Sequence, residues 1–264
     1  MLNRWGWLCP WLAILLAAGV LVAFGFTWWS ALLAALFLVC PALLLWGLYT
    51  TRPQPEEADA PTDGMLMDWT APFYDLYCSA VGLGRGFREQ SLRVAAIQPG
   101  EKVLDAGCGT GVLTRLAADK AGSATGIDPG ADMIRIAREK ARRTANAAEF
   151  KVAAIEQLPF ADAQFDVVLA SLMLHHLPPA TRRTGLAEVY RVLKPGGRLV
   201  VADFQQPTSP AWWLVLWPFL MMPSVVDNLL GRLPAQIREA GFSRIETRGH
   251  RAGLITFLTA IKSP

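Results

Sequence analysis

The sequence predicts an α/β fold, with a parallel sheet covered by helices, preceded by two N-terminal membrane-spanning helices. Two observations support this. The chain carries no charged residue from Trp5 to Thr51, although its later part has ordinary charge density. After about residue 100, β-branched runs alternate with helical patterns, as expected of strands joined by crossover helices. The 264 residues leave room for one domain with a buried core and a small addition.

The uncharged N-terminal run is more than twice as long as the about 20 apolar residues that one bilayer crossing needs. It divides at Thr27–Ser30, which predicts helices over about 7–26 and 31–49. Because Arg4 precedes the first helix and Arg52 follows the second, the positive-inside tendency places both ends on the cytoplasmic side. A cleaved signal peptide is the alternative, but its apolar region is usually only about 7–15 residues long.

Composition divides the chain into a transmembrane hairpin at 1–50, a linker at 51–64 and a domain at 65–264. The linker is rich in proline, acidic and small residues, which is typical of an extended tether. A net charge of +3 without a block of Lys and Arg gives no sign of a nucleic-acid partner, so the expected partner is a lipid bilayer. The four cysteines form no CxxC pair, and no metal site is predicted.

A glycine-rich loop follows the first predicted strand, Lys102–Asp105, and a helix is predicted from Val112. The loop glycines are Gly107, Gly109 and Gly111. Because they lack Cβ atoms, a ligand can lie against their backbone N–H groups at the carboxyl end of the strand. The loop therefore predicts a ligand site.

A second predicted strand, Ala124–Ile127, ends in Asp128. A carboxylate at this place can hold two ribose hydroxyls, which indicates a nucleoside ligand. The loop has Gly-x-Gly-x-Gly spacing and lacks the Gly-x-Gly-x-x-Gly spacing of loops that receive a pyrophosphate. That difference argues against a nicotinamide-dependent oxidoreductase.

Five segments resemble the successive motifs of class I S-adenosylmethionine-dependent methyltransferases. They are Val103–Gly111, Gly126–Pro129, Leu158–Phe160, Phe165–Leu177 and Leu193–Val201. The stretch Ala71–Arg88 is similar to the opening segment of the ubiquinone/menaquinone C-methyltransferases within that family. A hydrophobic N-terminal segment before such a domain also resembles the plan of the mammalian membrane-bound thiol methyltransferases.

The resemblance implies a Rossmann-like seven-stranded sheet, S-adenosylmethionine as the cofactor and methyl transfer as the reaction. The C-terminal part resembles the family's closing elements, which predicts a helix over Leu229–Gly241 and antiparallel strands over Ser243–Gly249 and Leu254–Lys262.

The resemblance also implies roles for individual residues. Asp105 and the loop glycines would shape the methionine side of the site, with Thr110 in the loop and Ser171 near the methionine portion. Asp128 would hold the ribose, and Met133 would pack on the adenine.

The sequence departs from the family pattern at one place. Many relatives have an aspartate four residues before the Leu-Pro-Phe motif, where it accepts a hydrogen from the adenine amino group, and this chain has Ala154. The adenine would then rely on the Ile155 backbone and apolar packing, or on Glu156 reaching over.

A base is needed only if the methyl acceptor must lose a proton. His175 and His176 follow the fourth predicted strand, at the sheet edge where ligands bind. A neutral imidazole there could deprotonate a phenol, thiol or ammonium, and a local hydrogen-bonding role is the alternative. Tyr74 in the opening segment and Asp203 at the end of the fifth strand are further catalytic candidates, with packing or capping as their alternative roles. His250 is expected to be structural or on the surface.

A second apolar segment, Pro210–Val226, carries no charge, but its internal prolines make it a poor spanning helix. Two readings stay open. It is either a buried cap over the core or a substrate lid that dips into the bilayer interface, with Trp212, Trp213 and Trp217 as interfacial side chains.

We therefore expect a membrane-anchored methyltransferase that acts on a lipophilic acceptor. In order of preference, this acceptor is a quinone-type or isoprenoid ring, a phospholipid amine, or a small hydrophobic thiol. A non-catalytic membrane scaffold with a degenerate cofactor fold is the alternative from another class, and Ala154 is its support. The oligomeric state and the methylated atom stay open.

Overall fold

The computed structural model describes residues 57–209, 212–216 and 223–264. The chain divides into two compact units, 1–54 and 55–264, and the described residues belong to the second. No helix within these residues combines the length and the apolarity that a bilayer crossing needs. The predicted hairpin at 1–50 and the first part of the predicted linker lie outside the described residues.

Seven strands form a mixed sheet within the described residues, in the order β3-β2-β1-β4-β5-β7-β6. Their bounds are β1 Val103–Ala106, β2 Ala124–Asp128, β3 Ala148–Val152, β4 Phe165–Ser171, β5 Leu193–Phe204, β6 Ser243–Arg251 and β7 Ile255–Ile261. β1 to β5 run parallel, and β7 pairs antiparallel with both β5 and β6. This is the Rossmann-like seven-stranded sheet with a closing antiparallel hairpin that the motifs predict.

Eight helices cover this part of the chain. Their bounds are α1 Tyr74–Ala80, α2 Arg85–Ala95, α3 Val112–Ala121, α4 Ala131–Arg143, α5 Pro179–Val192, α6 Trp212–Leu216, α7 Pro223–Leu229 and α8 Leu233–Glu239. Two short 3-10 turns, Asp68–Thr70 and Leu174–His176, precede α1 and α5. We call the second of these the histidine turn.

The single helix predicted over Leu229–Gly241 is wrong in its extent. The structure has α7 and α8 instead, separated by a turn at 230–232. Gly231 adopts a φ of 72°, which ends α7, and α8 restarts with a proline in its first turn. The break is a local backbone effect that the apolar periodicity does not reveal.

Alternate strand residues face two different cores. Val103 of β1 and Val167 of β4 pack with residues of α2 and α3, whereas Leu104 and Val168 pack with residues of α5 and α8. Buried parallel strands with helices on both faces leave their carboxyl ends as the open edge where loops converge. The strand order reverses between β1 and β4, so the loops after these strands diverge and a crevice forms.

Residues 57–64, which the composition assigns to a linker, pack on the domain. The carboxylate of Asp59 accepts the N–H of Ala131 at the start of α4 (2.8 Å), and the N–H of Ala60 donates to the carbonyl of Pro129 (2.9 Å). Farther along, the N–H of Met65 donates to the carbonyl of His176 (3.1 Å). The described part of the predicted tether is therefore held against the domain at Asp59 and Ala60, by hydrogen bonds to a loop distant in sequence.

Candidate active site

A cleft opens at the carboxyl ends of the parallel strands, beside the reversal of strand order. It encloses about 680 Å³, including space that is open to solvent. The residues that line it are Thr62, Gly64, Met65, Leu66, Met67, Tyr74, Gly107, Gly109, Asp128, Pro129, Met133, Ala153, Ile155, Glu156, Leu172, Met173, His176 and Leu177.

The glycine loop forms the floor of the cleft. Gly107 and Gly109 line it with positive φ angles of 68° and 54°. A Cβ on Gly107 would lie 2.7 Å from the Cβ of Met173, and a Cβ on Gly109 would lie 3.4 Å from the ring of Tyr74. Glycine is therefore favoured at both positions by the backbone conformation, and at Gly107 also by the close approach of Met173.

Asp128 joins the glycine loop to the end of β2. One of its carboxylate oxygens accepts the N–H of Gly109 and the other accepts the N–H of Gly130, both at 2.9 Å. Burial raises the pKa of Asp128 to about 6, although these two hydrogen bonds oppose the rise. The carboxylate lines the cleft and is mostly ionised at pH 7, so it is suited to accept hydrogens from two vicinal hydroxyls.

Three of the predicted cofactor residues lie behind the loop rather than on the cleft wall. Asp105 is buried, accepts the hydroxyl of Thr114 (2.6 Å) and has a pKa that burial raises to about 6. Thr110 is also buried, and its hydroxyl donates to Asp75. Gly111 begins α3, where a Cβ would collide with the ring of Phe150. The structure thus gives these residues contacts that shape the loop.

Asp75 connects α1 to this loop and to α4. It accepts hydrogen bonds from the hydroxyl of Thr110 and from the ammonium of Lys140. Although burial raises the pKa of Asp75, the hydrogen bonds from Lys140 and Thr110 hold it below its ordinary value. One face of α1 is therefore fixed against the domain, and Tyr74 is held in the cleft wall. Burial raises the pKa of Tyr74 above its ordinary value, so its phenol stays protonated.

The far end of the cleft has mixed character. Met133 and Ile155 line it, whereas Ala154 is buried beside them and is not part of the wall. Glu156 lines it too, and its Oε2 is enclosed without a hydrogen-bond partner. A carboxylate oxygen that is buried and unpaired is costly, and a ligand N–H group would satisfy it. The wall therefore fits a flat, partly apolar ring that carries an amino group.

The carboxylate of Asp203 holds the histidine turn in place. It is fully buried and accepts the backbone N–H groups of Leu174 (2.9 Å) and His175 (3.3 Å). Its other oxygen lies 2.6 Å from Nδ1 of His175. Burial acts to raise the pKa of Asp203, but the neighbouring His175 lowers it by more. The pKa is therefore below its ordinary value, and the carboxylate stays ionised. Neither Asp203 nor His175 lines the cleft, although both are predicted catalytic residues.

His176 is the member of the turn that reaches the cleft. Its Nδ1 is enclosed without a hydrogen-bond partner, and its ring centroid lies 4.0 Å from that of His175. Burial and the neighbouring His175 lower the pKa of His176 to about 3, although Asp203 opposes this. The imidazole is therefore neutral at physiological pH and is a weak base, but it can exchange a hydrogen bond with a group in the cleft. Of the four predicted catalytic residues, the structure brings Tyr74 and His176 to the cleft.

Arg182 of α5 supports the same turn and is not evident from the sequence. Its buried guanidinium donates to the carbonyls of Leu174 (3.0 Å) and Leu177 (3.1 Å) and to the side chain of Asn228 on α7 (2.8 Å). The turn is thus held by a carboxylate on its N–H groups and by a guanidinium on its carbonyls. No local sequence signal marks such a contact across 46 residues.

Other predicted residues lie outside the cleft wall. Ser171 ends β4 with its hydroxyl enclosed and without a hydrogen-bond partner. His250 is exposed, with its Nδ1 3.0 Å from the hydroxyl of Thr256. Trp212 and Trp213 are half-buried against Leu216 and its neighbours on α7. Trp217 lies outside the described residues, so the lid over 210–226 stays a prediction.

Sequence reasoning missed the segment just before α1, where Thr62 and Gly64–Met67 form one wall of the cleft. Its composition resembles a linker, and nothing in it signals a binding function. The segment acquires that position through the backbone hydrogen bonds of Ala60 and Met65 and through Asp68, whose carboxylate accepts the N–H of Met133 (3.0 Å).

The fold and the site together define an α/β enzyme that binds a nucleoside-containing cofactor without a phosphate loop. A methyltransferase-domain family profile matches residues 103–197. An uncharacterised methyltransferase of Synechocystis sp. is 30% identical over 183 residues, which cover 68% of this chain and 84% of that protein. The ubiquinone/menaquinone biosynthesis C-methyltransferase of Geotalea daltonii is 34% identical over 178 residues, which cover 64% of this chain and 75% of that protein.

Solved structures agree in fold. A phosphoethanolamine N-methyltransferase of Haemonchus contortus, in complex with S-adenosyl-L-methionine, has a TM-score of 0.55 at 17% identity. The match covers 69% of this chain and 53% of that one. The chain belongs to the class I S-adenosylmethionine-dependent methyltransferases, and its cofactor is S-adenosylmethionine. The nicotinamide-dependent and scaffold alternatives therefore do not hold.

The unpaired oxygen of Glu156 gives a prediction about the cofactor. We expect Glu156→Ala to weaken binding of S-adenosylhomocysteine by on the order of ten- to hundredfold, because a hydrogen bond to a charged group is worth roughly 1.5–3 kcal/mol. Adding Ala154→Asp should restore affinity. Isothermal titration measures the affinity of each variant. The inosine analogue of S-adenosylhomocysteine lacks the amino group, so wild type and Glu156→Ala should bind it equally. Equal affinity of wild type, Glu156→Ala and the exposed control Glu149→Ala for S-adenosylhomocysteine would refute this role.

The lowered pKa of His176 gives a prediction about acid stability. The unfolded chain binds a proton at this residue below about pH 6.5 and the folded domain only below about pH 3, so folding loses stability as the pH falls between these values. We expect the free energy of unfolding of His176→Gln, relative to wild type, to rise by roughly 2 kcal/mol between pH 6 and 4.5. Urea unfolding at several pH values measures it. Asp105 and Asp128 give the opposite slope, and they cancel in the comparison.

Proposed function

We propose that this methyltransferase transfers the methyl group to a lipophilic acceptor, a quinone-type or isoprenoid ring, at a membrane surface. The observation that carries the proposal is the wall around His176. It consists of apolar side chains, Leu66, Met67, Met173 and Leu177, around a neutral imidazole. Such a wall suits an apolar ring. It offers no charged side chain that could pair with a charged substrate.

The relatives support this choice of acceptor. Besides the protein of Geotalea daltonii, whose name refers to ubiquinone and menaquinone biosynthesis, the demethylmenaquinone methyltransferase of Renibacterium salmoninarum is 29% identical over 232 residues. Those 232 residues cover 79% of this chain and 93% of that protein. A shared cleft would place a similar ring in the same position here.

The N-terminal sequence supports the membrane location. The proposed arrangement is a two-span hairpin at 1–50, a linker from 51 and a domain on the cytoplasmic side. Its support is the uncharged run from Trp5 to Thr51, with Arg4 before it and Arg52 after it. An anchored domain meets its acceptor in two dimensions, where an isoprenoid-like molecule is concentrated.

The residues of the cleft have distinct tasks in the transfer. S-adenosylmethionine, when bound, supplies an electrophilic methyl group on its sulfonium. Asp128 and the bare backbone at Gly107 and Gly109 hold and orient the nucleoside, and Glu156 receives its amino group. The apolar wall with Met173 and Leu177 excludes water, so that the acceptor is the available nucleophile. His176 lines this wall with a neutral imidazole, and its task is to position the acceptor through a hydrogen bond.

The choice of acceptor is tested by labelling. The full chain in vesicles is incubated with a lipid extract and deuteromethyl-labelled S-adenosylmethionine, and the products are examined by mass spectrometry. We expect the label on a carbon of a quinone-type ring in the lipid phase. Label on an aminophospholipid nitrogen or a small thiol would replace this acceptor with the second or third candidate of the sequence analysis.

The role of His176 is tested by kinetics on the accepted substrate. We expect His176→Ala to lower kcat by roughly five- to tenfold, because the acceptor loses a positioning hydrogen bond worth about 1 to 1.5 kcal/mol, and to leave the dissociation constant of S-adenosylhomocysteine within about twofold. His250→Ala is the matched control, since His250 is exposed and lies outside the cleft wall. Unchanged turnover in the His176 variant would remove the imidazole from the reaction.

A further inference from the structure

Helix α1 and Val81, the residue that follows it, present an apolar face that no other part of the described domain covers. Leu76, Tyr77 and Val81 are 73%, 61% and 50% exposed. They are three of the five large hydrophobic residues that the structure shows as exposed among those it describes. We call this set the α1 outer face. A cluster of this kind beside a site, in an otherwise well-covered domain, marks an interaction surface.

The other side of the same helix is firmly attached. Asp75 is bonded to Thr110 and Lys140, and Cys78 is buried. Since the inner side fixes the helix in place, the exposure of the outer face is not the result of a loosely packed element. The helix carries apolar residues on both sides, which is the pattern of a helix that lies between a protein core and a second apolar phase.

α1 contributes to both the outer face and the cleft. Tyr74, on the inner side of α1, lines the cleft, and Met65 lines it while remaining 45% exposed. The helix that carries the exposed apolar face therefore also carries a residue of the cleft wall, and Met65 adds an exposed apolar side chain to that wall.

We propose that the α1 outer face docks onto a lipid surface and seats the cleft opening at the acyl–headgroup boundary, an inference that rests on the proposed lipophilic acceptor. The segment before the domain supports lipid as the occupant. The uncharged run ends at Thr51, and Glu57 already contacts Arg138 of α4. Six residue steps span at most about 20 Å, so a bilayer that holds the run lies within reach of the domain.

Charge at the edge of the face agrees with a lipid surface. Arg85, which begins the helix that follows α1, has an 82% exposed side chain that pairs with Glu89, and Arg251 donates to the carbonyl of Gly82 between the two helices. Guanidinium groups beside an apolar face suit the boundary between anionic headgroups and acyl chains. A second copy of the chain fits less well, because three side chains offer far less than the about 800 Å² per partner of a stable interface.

Photo-crosslinking in the full chain tests the occupant. The photoreactive residue p-benzoylphenylalanine replaces Leu76, the protein is reconstituted in vesicles that contain anionic phospholipid, and irradiated peptides are analysed by mass spectrometry. We expect phospholipid adducts at this position. The control places the same residue at Lys120, which is exposed at the end of α3, near the opposite sheet edge. Adducts to protein alone, or lipid adducts no more frequent than at Lys120, would overturn the proposal.

A kinetic test separates docking from the chemistry of the acceptor. We expect Leu76→Ser combined with Tyr77→Ser to raise KM for a vesicle-embedded acceptor roughly tenfold, since full burial of one leucine is worth about ten- to hundredfold in an equilibrium. Binding of S-adenosylhomocysteine and kcat/KM for a short-chain, water-soluble acceptor should stay within twofold. An equal loss on both acceptors would contradict docking. The crosslinking needs no turnover, so it reports on the face even if the proposed acceptor is wrong.

Discussion

The site depends on the pair of hydrogen bonds that Asp128 accepts from the backbone. The bond from Gly109 fastens the glycine loop after β1 to the end of the neighbouring β2, beside the crevice that the reversed strand order creates, and the bond from Gly130 holds the carboxylate in the loop after β2. Burying a carboxylate is unfavourable, which is why the pKa of Asp128 rises to about 6. Two N–H donors offset part of that cost and leave lone pairs of the carboxylate for ligand hydroxyls. The same carboxylate therefore holds the loop conformation and forms part of the ligand site.

Two buried charged residues hold the opposite wall of the cleft. Asp203 binds the N–H groups of the histidine turn from below, and Arg182 binds its carbonyls from the side. The turn is short, with backbone hydrogen bonds from His176 to Met173 and from Leu177 to Leu174, and the two buried charges add further bonds that hold its shape. His175 is engaged by Asp203, and His176 is left free in the cleft with its proton affinity lowered. His175 thus helps to position the turn, whereas His176 is the histidine that a substrate in the cleft can meet.

The two walls meet under the segment before α1, which makes the N-terminal side of the domain part of the site. Thr62 and Gly64–Met67 line the cleft, and α1 follows with one side fixed by Asp75 and the other exposed. A segment near the apolar N-terminal run in sequence is therefore part of the wall of the cofactor cleft. One stretch of the chain therefore contributes both a wall of the cleft and the exposed side of α1.

The sequence by itself determined the parallel sheet, the ligand loop at Gly107 and Gly109 and the acid at Asp128, because these follow from local periodicity and from motifs a few residues long. It did not separate His176 from His175, place residues 57–64 on the domain, or reveal Arg182 and the α1 outer face. Those features depend on contacts between residues 28 to more than 70 positions apart. Only tertiary structure decides which of two adjacent side chains faces a buried carboxylate and which faces a cleft, because burial is a property of packing and not of local sequence.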